Sequence, residues 1–333
     1  YFSLVALADQ LRMDRSPTLY GRYGRLDIFP TVSLLTSGFP WLNITPTLGA
    51  RETYYTSRYS QNRTALESDP LRRSYWTGGL SLVGPSISRI WSLSSDRKLK
   101  HLVEPRIEYS YVSNPGDLSA IPVFDEKDSV LVNNRLRWTF ANRLFYKEGE
   151  TGSREVASLE VSQEYSFSDL FPAASAGLAP SRRGPLSLWL RTSPWLGTNI
   201  DARADFEPVT KSLRSTALSG GVSKGGSSLG LTWYASYDPV DRKAVSSQSR
   251  LYGALAPASG RWRLEAQAAY DIHNRLLLEE RYTFRWRGSC WAAYAEIRDY
   301  RIAPYKTRDY RISIDLTGLG TFLDIHGGLD TGN

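Results

Sequence analysis

The residue types that most often carry chemistry are few in this chain, and they are not spaced as a catalytic or metal site. The three histidines, His101, His273 and His326, lie far apart, and we interpret each as a turn or strand-end residue. Cys290 is the only cysteine. In an oxidising compartment an odd cysteine suggests a partner outside the visible chain, whereas a buried free thiol is an equally open alternative. Neither residue type indicates a metal or thiol enzyme.

The carboxylates and the glycine-rich stretch also lack a catalytic setting. Glu279 and Glu280 are adjacent, and Asp125 lies close to Asp128, so either pair could supply a general acid and base. We interpret the first pair as a solvated strand end and the second as an acidic loop. The segment 225–230 reads Gly-Gly-Ser-Ser-Leu-Gly, but no Lys-Ser/Thr or helix follows it, which predicts a hairpin turn and not a phosphate loop. We therefore expect no enzymatic activity and no cofactor.

The elements that position these residues are strands with two unlike faces. Residues 261–268 read Arg-Trp-Arg-Leu-Glu-Ala-Gln-Ala, and residues 281–287 repeat the alternation as Arg-Tyr-Thr-Phe-Arg-Trp-Arg. Successive side chains of a strand point to opposite faces, so each segment has one apolar and one ionic face. The same alternation recurs at residues 106–111, 135–140, 157–162, 200–206, 229–234 and 311–316. No convincing helical stripe occurs, and the pattern predicts an all-β chain.

Composition limits the chemical class of partner and the type of membrane segment that this chain can have. The 333 residues carry a net charge of +7, with a pI near 9.4 and a mean hydropathy of −0.36. This charge suits an anionic partner, although a mild excess of basic residues on a solvated surface explains it equally well. The aromatic residues are spread over many strands and form no single stacking platform, which argues against nucleic acid. No run approaches the roughly 20 apolar residues of a membrane helix, whereas the short alternating strands of a β-barrel stay compatible with this hydropathy.

The order of strands and turns favours a membrane barrel over a soluble sandwich. Strand-like runs number about 16 to 18, separated by turn residues, and short links alternate with long ones at 55–72, 114–130 and 168–184. We count 73–84 and 86–94 as two of these strands. The apolar runs are longer than sandwich strands and end in aromatic residues, as a lipid-facing band does. The terminal aromatics are Tyr109/Tyr111, Trp233/Tyr237, Tyr282/Trp286 and Trp291/Tyr294. No composition shift marks a boundary, so we predict one domain over residues 1–333, an antiparallel transmembrane outer-membrane β-barrel.

Two segments resemble one family. The first, 98–111, reads Lys-Leu-Lys-His-Leu-Val-Glu-Pro-Arg-Ile-Glu-Tyr-Ser-Tyr and is followed by Ile-Pro-Val-Phe-Asp at 121–125. The second has Ser-Cys-Trp at 289–291 and Leu-Thr-Gly-Leu-Gly at 316–320. Over about residues 70–325 the chain resembles the barrel domain of the LptD (OstA) family of outer-membrane lipopolysaccharide-assembly proteins. The positions that carry the family motifs are His101, Glu104, Pro105, Pro122, Phe124, Asp125 and Trp291.

The resemblance implies a transport function in the Gram-negative outer membrane. It implies that lipopolysaccharide arrives over an LptA-like periplasmic bridge through an N-terminal jellyroll domain. The sugar headgroup would pass through the lumen while the lipid leaves by a lateral gate between the first and last strands, and an LptE-like lipoprotein would plug the lumen. Cys290 falls where the family has a cysteine disulfide-bonded to the N-terminal domain. The chain starts inside a strand-like run, and we expect it to be a fragment of a larger barrel that lacks the jellyroll and the first barrel strands.

Ionic residues on the strands are the candidates for a luminal lipopolysaccharide path, because arginine suits phosphates and acidic sugars. Pairing of these charges across neighbouring strands, which would only stiffen the wall, is the alternative favoured for most single positions. Two alternative functions stay open: a passive porin- or siderophore-type channel, and an autotransporter or adhesin barrel. In every case we expect outer-membrane lipids as partners. The candidates are Arg106, Glu108, Arg135, Arg137, Arg203, Asp205, Arg261, Arg263, Glu265, Arg285 and Arg287.

Overall fold

The computed structural model describes residues 1–14, 20–150, 152–173, 175, 177–257, 260–302 and 305–330. Within these ranges the chain consists of strands and turns with one short 3₁₀ turn at Leu118–Ala120. No helix in the described ranges is long and apolar enough to cross a membrane. The strands are β1 (Phe2–Asp14), β2 (Tyr20–Ser33), β3 (Thr36–Phe39), β4 (Leu42–Tyr55), β5 (Arg58–Tyr59), β6 (Leu66–Glu67), β7 (Leu71–Val83), β8 (Ile87–Ser92), β9 (Arg97–Val112), β10 (Asn133–Glu148), β11 (Arg154–Ser166), β12 (Leu186–Thr192), β13 (Thr198–Glu207), β14 (Ser212–Lys224), β15 (Ser227–Tyr237), β16 (Ala244–Leu255), β17 (Trp262–Asp271), β18 (Leu276–Arg287), β19 (Trp291–Ile302), β20 (Tyr305–Leu316) and β21 (Gly320–Asp330).

The strands form one antiparallel meander. Nineteen of them share a sheet, and β5 and β6 make a separate small hairpin. Because β3 continues β2 along β4, and β8 continues β7 along β9, the nineteen strands make seventeen passes. The predicted all-β antiparallel architecture is confirmed. Among the described residues no ladder joins β1 to β21, so these two strands are the edges of the sheet.

A glycine interrupts the pass made by β7 and β8. Gly84 has φ +115°, and a Cβ atom there would lie 2.2 Å from the carbonyl oxygen of Trp41. Only glycine combines this backbone conformation with so close an approach. The two strands predicted at 73–84 and 86–94 are therefore present as β7 and β8, but both pair with β9 and together make one pass.

Connections of unequal length distinguish the two ends of the sheet. The long-loop end carries the connections 56–70, 113–132 and 167–185, close to the predicted long links. The short-turn end carries the connections 40–41, 93–96, 149–153, 193–197, 225–226, 256–261, 288–290 and 317–319. Beyond residue 207 the long-loop end shortens as well, to turns such as 208–211 and 272–275. The predicted alternation of loop length therefore holds for the first half of the sheet only.

The register places like side chains on one face. On β17 and β18, Leu264 lies directly opposite Phe284, while Arg263 lies directly opposite Arg285. We call the side of Leu264 the apolar face and the side of Arg263 the polar face. Leu264 and Phe284 are each 42% exposed, and in the described part of the chain no second sheet packs on them. A soluble sandwich would bury this face, and its exposure indicates a lipid surrounding.

Candidate functional site

Ten of the eleven residues predicted to line the lumen lie on the polar face. Cross-strand pairs connect them from β9 to β18, for example Glu108 opposite Arg137 and, farther along, Glu265 opposite Ala254. Arg261 is the exception, since it lies in the turn before β17. Its interpretation as a strand residue is wrong.

Many of these charges are already paired. Arg106 binds Glu104 at 2.6 Å, Arg137 binds Glu164, and Arg263 binds Glu265. These pairs join positions two apart on one strand or opposite each other on neighbouring strands, as expected for charges that stiffen a wall. In contrast, three of the predicted arginines on the polar face make no ion pair among the described residues: Arg203, Arg285 and Arg287.

The family-motif residues separate into a strand group and a loop group. His101 lies inside β9 and stacks near Trp91, with ring centroids 6.4 Å apart. Pro105 lies directly opposite Phe140 of the apolar face, whereas Glu104 points to the polar face. The loop group is Pro122, Phe124 and Asp125 in the connection 113–132, and Trp291 begins β19 on the apolar face.

Cys290 lies in the turn between β18 and β19 at the short-turn end. Its thiol is free and exposed. The alternative that Cys290 is a buried free thiol is therefore wrong. A disulfide to another domain is untested and stays a prediction.

Four other sequence interpretations need correction. His101 and His326 lie inside strands, and only His273 lies in a turn. Glu279 is not a solvated strand end, because it is buried and accepts a hydrogen bond from Arg298 at 2.9 Å. Tyr294 does not belong to the aromatic girdle: it lies opposite Arg285 on the polar face, where the guanidinium carbon is 5.8 Å from its ring centroid.

Residues 121–128, which we call the latch, fold over the polar face at the long-loop end. Ile121 is 1% exposed and packs in a cluster with Met13, Tyr23 and Tyr55. The Tyr23 hydroxyl donates to the carbonyl of Pro122 at 3.3 Å. The latch thus supplies the apolar cover for the ends of β1, β2 and β4.

An arginine of β2 holds the acidic side of the latch. Arg25 donates to Asp125 at 2.8 and 2.9 Å, to Asp128 at 3.0 Å and to Asp9 at 2.8 Å. The Arg25 hydrogen bonds lower the pKa of Asp125 below its ordinary value of 3.8. One guanidinium therefore joins β1, β2 and the latch.

Asp128 is the most deeply buried acid of the latch. Its Oδ1 accepts a hydrogen bond from the Tyr55 hydroxyl at 2.7 Å, and Arg73 donates to its backbone carbonyl at 3.1 Å. Arg73 also donates to the carbonyl of Lys127 at 2.7 Å. Asp125 and Asp128 lie in a loop, as predicted, and their two carboxylates anchor it to β2 and β4.

Sequence reasoning missed Arg25, Arg73 and Trp189. The two arginines lie about 50 to 100 positions before their latch partners, so no local spacing connects them. The sequence did indicate the unusual position of Trp189. It alternates with Leu188 and Leu190 on β12, so its side chain must point to the polar face while theirs point to the apolar face. In the described ranges no group of three or more His, Cys, Asp or Glu residues could hold a metal ion.

A seventeen-pass antiparallel sheet with an exposed apolar face and an ionic face defines a class, the integral outer-membrane β-barrel proteins. The chain belongs to the LptD family: the family model described as "LPS transport system D" matches residues 1–276. It is thus an outer-membrane protein of lipopolysaccharide transport and assembly, and lipopolysaccharide is the substrate of this family's transport machinery.

Similar solved structures add little to the family assignment. A triple mutant of the Rhodopseudomonas blastica porin shares 12% identity over 99% of this chain and 100% of the porin, with a TM-score of 0.31. BauA, the ferric preacinetobactin receptor from Acinetobacter baumannii, shares 10% identity over 89% of this chain and 57% of the receptor, also with a TM-score of 0.31. TM-scores of this size do not establish a shared fold, so the assignment rests on the family match. No curated protein matches the chain.

Proposed function

We propose that this chain is part of the wall of a barrel that translocates lipopolysaccharide, with the headgroup moving along the polar face and the apolar face in contact with membrane lipid. The observation that carries the proposal is that three of the predicted arginines on the polar face have no ion-pair partner among the described residues: Arg203, Arg285 and Arg287. An unpaired guanidinium can bind a phosphate or carboxylate in a bidentate manner. Family membership supplies the substrate to which this chemistry fits.

The route and the partners complete the proposal. The lipid part leaves through a lateral gate between the first and last strands of the closed barrel, an LptE-like lipoprotein plugs the lumen, and an LptA-like bridge delivers the substrate to an N-terminal domain. Cys290 supports a contact with that domain, because its exposed thiol lies at the short-turn end. Short turns face the periplasm in outer-membrane barrels. A Cys290→Ser variant is expected to lose one interdomain disulfide, visible as a mobility change on non-reducing gels.

Reconstitution of the membrane-inserted protein with its plug protein tests the function. When lipopolysaccharide is supplied on the side of the short turns, proteoliposomes should deliver it to the opposite leaflet of the membrane. In planar bilayers the protein should show no steady conductance while the plug is bound. A passive channel predicts the reverse. Steady conductance without delivery of lipopolysaccharide would refute the proposal in favour of a porin- or siderophore-type channel.

A further inference from the structure

Trp189 occupies a position that a lipid-facing girdle does not explain. It lies opposite Glu160 of β11 and Arg203 of β13, both on the polar face, while its neighbour Leu190 is exposed on the apolar face. By the same parity the other tryptophans of the strands lie on the apolar face: Trp76, Trp91, Trp138, Trp233, Trp262, Trp286 and Trp291. Trp189 therefore has a role on the ionic side of the wall.

Charged neighbours hold the Trp189 ring in place. The guanidinium carbon of Arg191 lies 4.3 Å from the ring centroid and that of Arg203 lies 4.7 Å from it. The indole Nε1 donates to Asp201 Oδ2 at 2.7 Å. Arg191 also binds Glu160 at 3.1 Å. Arg203 makes no ion pair among the described residues. Stacking on Trp189 therefore orients its guanidinium group, and the N–H donors of that group stay free to bind a ligand.

The register places small and hydroxylated residues beside this arginine. Ala217 lies opposite Arg203, and Ala141 lies opposite Glu160, so the row through Trp189 is flanked by two short side chains. In the next row Ser162 lies opposite Ser187, and Asp205 accepts a hydrogen bond from Ser187. Trp189, Arg203 and the Ser162–Ser187 row, together with Arg137 and Thr139, line a cavity of about 370 Å³. That volume is within the range of ligand sites, about 300–1,000 Å³.

We propose that Arg203, Trp189 and the adjacent hydroxyl row form a binding site for an anionic saccharide. This inference rests on the proposed function, since it assigns the acidic part of the cargo to one place on the wall. A phosphate or sugar carboxylate binds the free guanidinium donors of Arg203, and the sugar hydroxyls bind Ser162 and Ser187. The site lies midway along β12, so the headgroup is held between the two ends of the wall.

Binding of deacylated, phosphorylated core oligosaccharide to the purified membrane-inserted protein tests the site by titration calorimetry. Removing a charge-assisted bidentate contact weakens binding about tenfold or more, so Arg203→Gln should do so, with Arg203→Lys intermediate. Trp189→Ala, which releases the guanidinium from its stacked position, should also weaken binding. Arg250→Gln is the matched control, since Arg250 lies on the polar face of β16 opposite Thr232 and stacks on no aromatic ring among the described residues. It should bind as the unchanged protein does.

The outcomes separate the site from the transport function. A defect of Arg203→Gln confined to the phosphorylated sugar identifies the phosphate as the bound group, and an equal defect with the dephosphorylated sugar identifies a carboxylate. Unchanged binding by folded Arg203→Gln and Trp189→Ala, or no binding by the unsubstituted protein, overturns the site. Heat-modifiable migration on gels reports that each variant is folded. Lipopolysaccharide delivery by the unsubstituted protein tests the function independently, and it can succeed while this site fails.

Discussion

Arg25 of β2 donates a hydrogen bond to Asp128 of the latch at 3.0 Å, and the two side chains are 2% and 0% exposed. Two charges so deeply buried are stable only together, because either one alone would lack solvation. The pair therefore fixes the latch in a single position over the polar face. The latch in turn covers part of the long-loop end near β1, β2, β4 and β7.

Loss of Arg25 should release the latch. We expect Arg25→Gln to destabilise the docked latch by about 3–5 kcal/mol, because it leaves Asp128 buried without its cation. Amide hydrogen exchange of residues 113–132 measures the effect. Arg12→Gln is the control, since the Arg12–Asp14 pair is 69% and 71% exposed and such pairs contribute about 0–1 kcal/mol. Equal exchange in the two variants would contradict the anchoring role of Arg25.

Acid should release the latch in a defined range of pH. Since Arg25 lowers the pKa of Asp125 below 3.8, ionised Asp125 contributes stability at neutral pH. This contribution is fully present above the unfolded pKa and is lost as pH falls through the lower folded pKa. Limited proteolysis of the latch should therefore stay slow at pH 7 and pH 5 and accelerate below pH 3.8. Release between pH 7 and pH 5 would show that a different group controls docking, and Asp125→Asn should remove this part of the pH dependence.

The hydroxyl of Tyr55 can be tested against its neighbour in sequence. Tyr55→Phe removes the donor to Asp128 at 2.7 Å and should cost about 1–3 kcal/mol of latch stability, since the carboxylate is buried. Tyr54→Phe should change little, because Tyr54 points to the apolar face and is exposed. Hydrogen exchange over 113–132 gives both values, and a larger effect of the Tyr54 variant would contradict the assignment.

Alternation of residue types was enough to predict the strands, their faces and ten of the polar-face positions. The latch could not be predicted, because Arg25 and Asp125 are joined by loop closure over a hundred positions. The break at Gly84 was equally hidden, since the backbone carbonyl that approaches it belongs to Trp41, in the turn between β3 and β4. Trp189 was predictable by parity, although no pattern in the sequence placed Arg203 against its ring.

The assignment of faces makes a prediction for adjacent residues of β14. Leu218→Arg puts a charge on the apolar face and should destabilise the folded protein in a bilayer by about 2–4 kcal/mol. Ser219→Arg should be tolerated, because Ser219 lies on the polar face opposite Asp201. Reversible unfolding in lipid vesicles measures both. Equal costs would mean that the two faces do not differ in their surroundings.

Site-specific photo-crosslinking in the outer membrane tests the central claim most directly. A photoreactive residue is placed at 263 or 285 on the polar face and, as matched controls, at 264 or 284 on the apolar face of the same two strands. We predict lipopolysaccharide adducts from 263 and 285 during active transport, and phospholipid adducts from 264 and 284. Lipopolysaccharide adducts confined to 264 and 284, with phospholipid at 263 and 285, would contradict the account by reversing the two faces of the wall.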